Sequence, residues 1–450
     1  MQGRVKWQTR SAVTDFLSVC GVVALMVLAT DVFAQQPTST ASPVPGSPVP
    51  PAGTLINSAN ASTYYHFLPP GADLALKYGL VMRIVPTERI DWSAGFTAET
   101  EKYSGQVGLD SDDYITNYIA GMPFPTVGIN DSKAAVKIAY NWHMGPFMPD
   151  DFLQEPWGSF AYSGADGQSG FVPEEWNDYT CARFVFLRYA HRSEVDPRPT
   201  LGPNEEGAEW KARCMQWTGG PDMSPSSAVT GVVVRYLDPR KPDAEVWWRG
   251  HWRPYLGRVQ VTDERCRACH QPYWAYALPK TEEYSYRLLG TASILACLTA
   301  EHEPAGVVPR GESFTFGELP FQIRNAYILE MTPKLSGHEN VRTIVYIDTE
   351  AYVWLGATFF SGNEQTEAAF PFWRSYPSPT GGYLFDLAGS FYVPLDQLSV
   401  HHLMGGTTSR LFFRSLAPAH GQFSSKFNSG SVSVDLFDPE QLGPGPPDVR

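Results

Sequence analysis

Two cysteines and a histidine stand at a spacing that could hold a covalent cofactor. Cys266 and Cys269 are separated by two residues, and His270 follows directly. Thiols at this spacing can form thioether bonds to the vinyl groups of one porphyrin, and the histidine can supply the proximal iron ligand. A CxxCH sequence arises by chance on the order of 10⁻³ times in a chain of this composition. The motif therefore predicts one covalent haem c.

The same residues leave other chemistries open. Cys266 and Cys269 could form a redox-active or structural disulfide, or they could join His270 in a zinc site. A zinc site would need a further ligand, and the sequence has no second CxxC to provide it. Zinc thiolates are also less expected in an oxidising compartment, so covalent haem is the favoured interpretation.

A sixth ligand for the haem iron is not fixed by the sequence. The candidates are His251, His302, His338 and Met331. Met331 ends a segment with the composition of a strand, so a core position is the favoured interpretation for it. The sixth position could also be empty, which would permit ligand binding or peroxide chemistry.

The other cysteines of the predicted mature chain are Cys181, Cys214 and Cys297. Cys181 and Cys214 could form a disulfide if their strands meet. Cys297 would then be a buried thiol in an apolar run. Without haem, the odd number of mature cysteines could not all form disulfides. Their parity alone does not decide whether haem is attached.

No other motif indicates a reaction. The sequence contains no Walker loop, GxSxG elbow or HExxH helix, so whether the protein is an enzyme is left open. Asp110, Asp112 and Asp113 are predicted to cap a helix. His401 and His402 are adjacent strand residues, and their side chains should point to opposite faces, which argues against joint metal binding.

The N-terminus has the features of an export signal. Basic residues precede an apolar stretch over residues 16–29, and small residues follow at the positions that signal peptidase recognises. We predict cleavage between Ala34 and Gln35, with an uncleaved anchor as the alternative. The apolar stretch is short for a membrane span. The mature protein is therefore expected to be soluble and periplasmic, in an oxidising compartment.

Composition excludes disorder and points away from nucleic acid. The chain is 43% hydrophobic and 13% aromatic, which can supply a large core and favours strands. Its formal net charge is −13, and no basic run is present. A polynucleotide partner is therefore not expected.

The pattern of elements predicts an α+β protein. Residues 1–34 are the signal peptide, 35–53 a disordered Pro/Ser-rich linker, and 441–450 a disordered tail. Residues 54–159 are predicted to be mainly helical, with helices over 70–78, 111–119 and 132–143. Residues 160–440 are predicted to form an antiparallel β domain in which residues 262–280 carry the haem motif. We expect this mostly antiparallel sheet to curve into an open, incomplete β-barrel, with the helices covering one face or mouth.

Several runs of β-branched and aromatic residues predict the strands of this domain. A turn across residues 348–350 should join two of them in a hairpin. The predicted strands lie at residues 184–187, 232–236, 245–248, 326–329, 343–347, 352–355, 383–385, 409–413 and 432–436.

Segments spread over residues 60–415 resemble the bacterial family known as domain of unknown function 1329. The resemblance rests on their order and spacing. The segments are residues 98–107, 118–125, 133–142, 234–239 with 242–243 and 247–248, and 342–348.

The resemblance implies an exported protein related to the lipoprotein-sorting fold. In that fold an incomplete antiparallel barrel wraps helices around an apolar cavity, and members are thought to handle lipids beside membrane transporters. This sequence departs from the family after residue 261, where a polar stretch leads into the haem motif. The first hypothesis is therefore a periplasmic monohaem protein for electron transfer, with a periplasmic redox partner. The alternative is a non-redox carrier of lipid or another hydrophobic compound, with an envelope transporter as partner.

Overall fold

Residues with branched and aromatic side chains form long strands in most of the described ranges beyond residue 150. Such side chains fit the pleated surface of a sheet. The computed structural model describes residues 48–77, 79–146, 150–153, 157–162, 180–193, 201, 205–218, 229–249, 253–255, 280–299, 307–310, 313–316, 318–334, 341–377, 380–394, 398–403, 426–427, 432 and 437. They form a sheet-dominated mixture of α and β structure with few helices.

Among the described residues, strands and helices alternate only near the N-terminus. The helices are α1 (Ala72–Lys77), α2 (Ala94–Tyr103) and α3 (Ala134–His143), with 3-10 turns at Ala61–Phe67, Ser104–Gln106 and Thr281–Glu283. The strands are β1 (Leu55–Ile56), β2 (Val81–Ile84), β3 (Gly108–Leu109), β4 (Ile115–Thr116), β5 (Asp151–Leu153), β6 (Trp157–Tyr162), β7 (Thr180–Arg188), β8 (Ala208–Thr218), β9 (Val229–Tyr236), β10 (Ala244–Arg249), β11 (Arg253–Tyr255), β12 (Tyr284–Thr299), β13 (Val307–Arg310), β14 (Ser313–Phe316), β15 (Glu318–Pro333), β16 (Val341–Asp348), β17 (Trp354–Ser361), β18 (Glu364–Pro377), β19 (Tyr383–Pro394), β20 (Leu398–Leu403) and β21 (Lys426–Phe427).

Most of these strands join one antiparallel series. β12 pairs with β15, and β15 to β20 then pair in chain order through β16, β17, β18 and β19. β20 pairs with β6, and the series continues through β7, β8, β9, β10 and β11. The mostly antiparallel sheet predicted from the sequence is confirmed.

Two parallel pairings interrupt this pattern. β2 pairs in parallel with the start of β15, and β1 joins β2. The end of β12 pairs in parallel with β18, with Cys297 opposite Phe372. β12 also pairs with β15, so this contact joins the two ends of the series β12, β15, β16, β17 and β18. It partly closes the sheet. These pairings show partial closure and do not establish an open barrel, so the open barrel stays a prediction.

Helix α3 packs on the sheet through an apolar face. Ile138, Ala139 and Trp142 recur at helical spacing and are buried in one cluster with residues of β15 and β16, among them Leu329 and Val345. α3 lies beside β12 and the turn Thr281–Glu283. The prediction of a helix over residues 132–143 is confirmed, as is that of a helix over residues 70–78, which contains α1.

The predicted helix over residues 111–119 is wrong. β3 and β4 form a short antiparallel hairpin there. Asp110 explains the difference, because its Oδ1 accepts hydrogen bonds from the backbone N–H groups of Asp112 and Tyr114, both at 2.9 Å. These bonds close a turn, whereas a helix cap would have led into a helix. Asp113 completes the turn with a positive φ of 67° and forms an ion pair with Lys133.

Helix α2 lies in a segment for which the sequence predicted no helix. Ser93 caps it by accepting a bond from Phe96 N at 3.2 Å. The helix buries only Phe96 and Thr100, so it lacks the apolar stripe on which helix prediction depends.

Most strand predictions are confirmed, including the hairpin of β16 and β17. Its turn spans residues 349–353, slightly later than expected, so residues 352–353 precede β17. The predicted strand at residues 409–413 and most of that at 432–436 lie outside the described residues. No helix in the described ranges is both long and apolar enough to cross a membrane.

Candidate functional site

The predicted haem residues Cys266, Cys269 and His270 lie outside the part of the chain that the structure describes. The same holds for three candidate distal ligands, His251, His302 and His338. Haem attachment therefore stays a prediction.

The remaining distal candidate, Met331, is described. It is 1% exposed and packs in the hydrophobic cluster around α3. Its predicted role as a core methionine is confirmed.

The strand register does not bring together the two cysteines that the sequence could pair in a disulfide. β7 and β8 do meet, but Cys181 lies opposite Trp217 and Cys214 lies opposite Phe184. This offset of three positions separates the two Cα atoms by roughly 10 Å, beyond the ~7 Å limit of a disulfide. Cys297 is a buried free thiol, as expected.

A small pocket lies where the end of α3 meets strands β8 and β9. Its volume is about 50 Å³. The walls combine buried charged groups with apolar side chains. The lining residues are Ile115, Tyr140, His143, Met144, His191, Glu209, Arg235, Tyr236, Leu237, Pro239, Lys280, Thr281 and Glu282.

His143 is the last residue of α3, and the helix directs it into the pocket wall. Its side chain is 9% exposed, and Nε2 lies 4.0 Å from Glu209 Oε1. Its Nδ1 is buried without a hydrogen-bond partner in the structure. Burial lowers the pKa of His143 well below its usual value, and the nearby Arg235 and Arg188 lower this pKa further. The imidazole is therefore neutral at physiological pH.

Glu209 reaches the pocket because it occupies a β-bulge. Ala208 pairs with Tyr236 and Trp210 pairs with Arg235, which leaves Glu209 as the extra residue of β8. A bulge redirects the side chain that it inserts. The Glu209 side chain is 7% exposed, and its Oε1 has no hydrogen-bond partner in the structure. Burial raises the pKa of this carboxyl, although Arg235 and Arg188 partly oppose the shift.

The cations of the pocket are held by internal partners. Arg235, which is 3% exposed, donates to Asp243 Oδ2 at 2.9 Å and lies over the ring of Trp210. Lys280 Nζ lies 3.5 Å from Asp243 Oδ1 and donates to the carbonyl oxygen of Lys241. Asp243 thus joins both cations, and this network fixes the floor of the pocket.

Tyr140 fixes the side of the pocket formed by the turn Thr281–Glu283. Its hydroxyl donates to Glu282 Oε1 at 2.8 Å and accepts from Ile115 N at 3.1 Å. Because Ile115 follows the Asp110 turn, this bond ties the β3–β4 hairpin to α3.

The rim of the pocket is apolar. Leu237 is 47% exposed. Ile115 and Pro239 are half-buried, whereas Met144 lies deeper. A polar floor below an apolar rim can receive a molecule that has one polar end. Within the described ranges, no three His, Cys, Asp or Glu residues cluster as metal ligands would.

Sequence patterns did not identify this pocket. They place His143 on a helix without a role and do not single out Glu209. Arg235 and Asp243 both fall in segments that carry the family resemblance, and the structure joins them in an ion pair.

Comparison with known proteins matches part of this chain to a family. The sequence model of a family described as protein of unknown function (DUF1329) matches residues 55–160. The resemblance inferred over residues 60–415 is thus confirmed for the segment that holds α1, α2 and α3. No curated protein matches the sequence.

Solved structures give distant likenesses. A DUF1329 family protein from Desulfovibrio piger is 12% identical, with a TM-score of 0.40 over 69% of this chain and 98% of its own. A domain from Vibrio parahaemolyticus, described as an outer membrane lipoprotein-sorting protein, is 9% identical, with a TM-score of 0.38 over 69% and 98%. A LolA superfamily protein from Nitrosomonas europaea is 9% identical, with a TM-score of 0.27 over 56% and 84%. These TM-scores lie below 0.5, so the likenesses do not establish a shared function.

Proposed function

We propose that this protein is a periplasmic carrier that binds a hydrophobic or amphipathic compound, with the pocket beside α3 as the site for its polar end. The observation that supports this proposal is the combination of a buried polar floor with the exposed apolar rim at Leu237. The pocket is too small for a whole lipid, at about 50 Å³. An acyl or ring system would therefore lie along the rim and outside the pocket.

The scaffold suits this role. The partly closed sheet and α3 share one buried core, so the pocket is held between rigid elements. The lipoprotein-sorting relationship that the sequence resemblance implies is in keeping with a carrier. In this proposal the export signal delivers the protein to the periplasm, where an envelope transporter receives or supplies the compound.

A binding experiment tests the carrier function. The full chain is produced with its leader, purified without detergent, and extracted with organic solvent for mass spectrometry. Stripped protein is then titrated with N-phenyl-1-naphthylamine, whose fluorescence rises in apolar sites. We expect a co-purified amphiphile that competes with the probe. Absence of both extracted compound and probe binding would contradict the proposal.

A matched pair of variants locates the binding. Leu237→Asp places a charge on the rim and should weaken probe binding at least about tenfold. Leu55→Asp changes a residue of similar exposure, 42% against 47%, outside the pocket lining. This control should bind as the wild type does. Equal losses in both variants would argue against a site at the pocket.

The second candidate function is redox chemistry at a covalent haem. The observation that favours it is the CxxCH sequence itself, together with the export signal, since haem c is attached outside the cytoplasm. We propose Cys266 and Cys269 as the attachment residues and His270 as the iron ligand. A periplasmic redox partner would follow from this function.

Haem staining tests this second function. In a host with haem-attachment machinery, the wild type should retain haem on a denaturing gel. The Cys266→Ala, Cys269→Ala double variant should lose it. A colourless wild type from a competent host would refute the haem assignment and leave the carrier proposal intact.

A further inference from the structure

We propose that the pocket selects amphiphiles whose head group is an uncharged hydroxyl, and that His143 and Glu209 recognise this group. The inference rests on the proposed carrier function and names the class of its ligand.

Two buried atoms point to a ligand that both donates and accepts. His143 Nδ1 and Glu209 Oε1 have no hydrogen-bond partner, although their side chains are only 9% and 7% exposed. The 4.0 Å between His143 Nε2 and Glu209 Oε1 is too long for a hydrogen bond between the two residues. A hydroxyl can donate one hydrogen bond and accept others, so its chemistry matches both unpaired atoms.

The charges around the pocket favour an uncharged head group. Arg235 and Lys280 share the carboxylate of Asp243, and Glu282 accepts from Tyr140. An anionic head group would have to displace one of these carboxylates from its partner. A cationic one would need the charged form of Glu209, which burial disfavours. The charge of Arg188 also lowers the pKa of Glu209, although Arg188 does not line the pocket.

The protonation states of the two recognising residues agree with this geometry. Burial disfavours the charged forms of both, which lowers the pKa of His143 and raises that of Glu209. A neutral imidazole offers one donor and one acceptor, so it can bond to a hydroxyl in either direction. The size also fits, because about 50 Å³ accommodates a hydroxyl and its carbon while the chain leaves past Leu237.

Head-group selectivity is the decisive measurement. The stripped full chain is titrated calorimetrically with 1-octanol, octanoate and octylamine, which share one chain length. We expect 1-octanol to bind at least about tenfold more tightly than either charged compound. A preference for octanoate or octylamine would overturn the inference.

Variants assign the selectivity to residues. Glu209→Met and His143→Phe should each reduce the preference for 1-octanol at least about tenfold. Glu101→Met, on the exposed face of α2, should retain it. If Glu209→Met fails to fold, Glu209→Gln keeps an uncharged donor and acceptor and should restore the preference. Unchanged selectivity in the folded variants would mean that the two residues bind only water, and the inference would fail.

The outcomes separate this inference from the carrier function. Equal binding of the three compounds, or a co-purified lipid without alcohol selectivity, would overturn the head-group assignment alone. Failure to bind any amphiphile, with nothing extracted from the purified protein, would overturn both.

Discussion

Gly121 shows how closely the segment after α2 packs against that helix. Its φ is +78°, and a Cβ there would stand 2.4 Å from the backbone nitrogen of Thr100. Thr100 in turn uses its Oγ1 to accept from Met122 N at 2.8 Å and to donate to Phe96 O at 2.7 Å. The segment after Gly121 is thus held against α2 by the bond from Met122 to Thr100, which only the close approach allows.

Gly121→Ala should reduce the free energy of unfolding by about 2–4 kcal/mol, because it combines left-handed strain with a backbone clash. Urea denaturation measures the change. Gly128→Ala is the matched control, since nothing lies within 4 Å of its added Cβ. That control should stay within about 0.5 kcal/mol of the wild type. Equal effects in both variants would contradict the close packing at Gly121.

His143 should make stability depend on pH. The unfolded histidine takes a proton near pH 6.5, whereas the buried residue in the folded state does not until well below that value. Stability is therefore lost as pH falls below 6.5, by up to about 1.4 kcal/mol per pH unit.

Between pH 7.5 and 5.5, His143→Gln should thus lose less stability than the wild type, by on the order of 1 kcal/mol. Denaturation at both pH values tests this. The exposed His66→Gln variant should keep the wild-type dependence.

At the scale of elements, the β16–β17 hairpin depends on a buried ion pair. Arg324 Nε donates to Asp348 Oδ2 at 2.7 Å, and the two side chains are 3% and 0% exposed. Asp348 Oδ1 also accepts from the backbone N–H groups of Glu350 and Ala351 in the turn. Arg324 donates further to Glu88 O, so the pair joins β15, the hairpin turn and the segment after β2.

Arg324→Met should cost about 3–5 kcal/mol, because it leaves the carboxylate of Asp348 buried without its cation. Thermal or urea denaturation measures this loss. Arg89→Met breaks an exposed pair with Asp91 and should cost at most about 1 kcal/mol. Similar small losses of stability in both variants would show that the buried ion pair contributes little to the free energy of unfolding.

Sequence patterns predicted the elements with regular side-chain spacing and missed those set by single polar bonds. α3 has clear apolar periodicity and β16 is a run of β-branched and aromatic residues, and sequence patterns predict both. The β3–β4 hairpin depends on the side-chain bonds of Asp110, which local composition does not distinguish from a helix cap.

The candidate site was harder still to predict. Charged residues are normally exposed, so Glu209 and Arg235 gave no sign of burial. A one-residue bulge directs the side chain of Glu209 into the pocket, and sequence periodicity does not predict such a bulge.

At the scale of the whole molecule, the partial closure of the sheet runs through Cys297. This residue lies opposite Phe372 in the parallel pairing of β12 with β18. Both residues are 0% exposed, and burial raises the pKa of the Cys297 thiol. The thiol can react only when the closure opens.

Cys297 should resist iodoacetamide in the native protein and react fully in denaturant, because the thiolate is the reactive form. Peptide mass mapping distinguishes it from the other cysteines, and Cys297→Ser confirms the assignment. Modification of the native protein as fast as that of the unfolded chain would show that the closure is open in solution.

The pairing of β2 with β15 has a consequence for how the chain reaches this fold. Thr87, just after β2, donates to Ile323 O across 236 positions of sequence. β1 and β2 therefore have no sheet to join until most of the chain has been made. Pairings between such distant segments form slowly, because a long loop must close before any contact stabilises it. Until β15 arrives, the paired strands β1 and β2 have an unpaired edge, and we expect a folding chaperone to shield this edge.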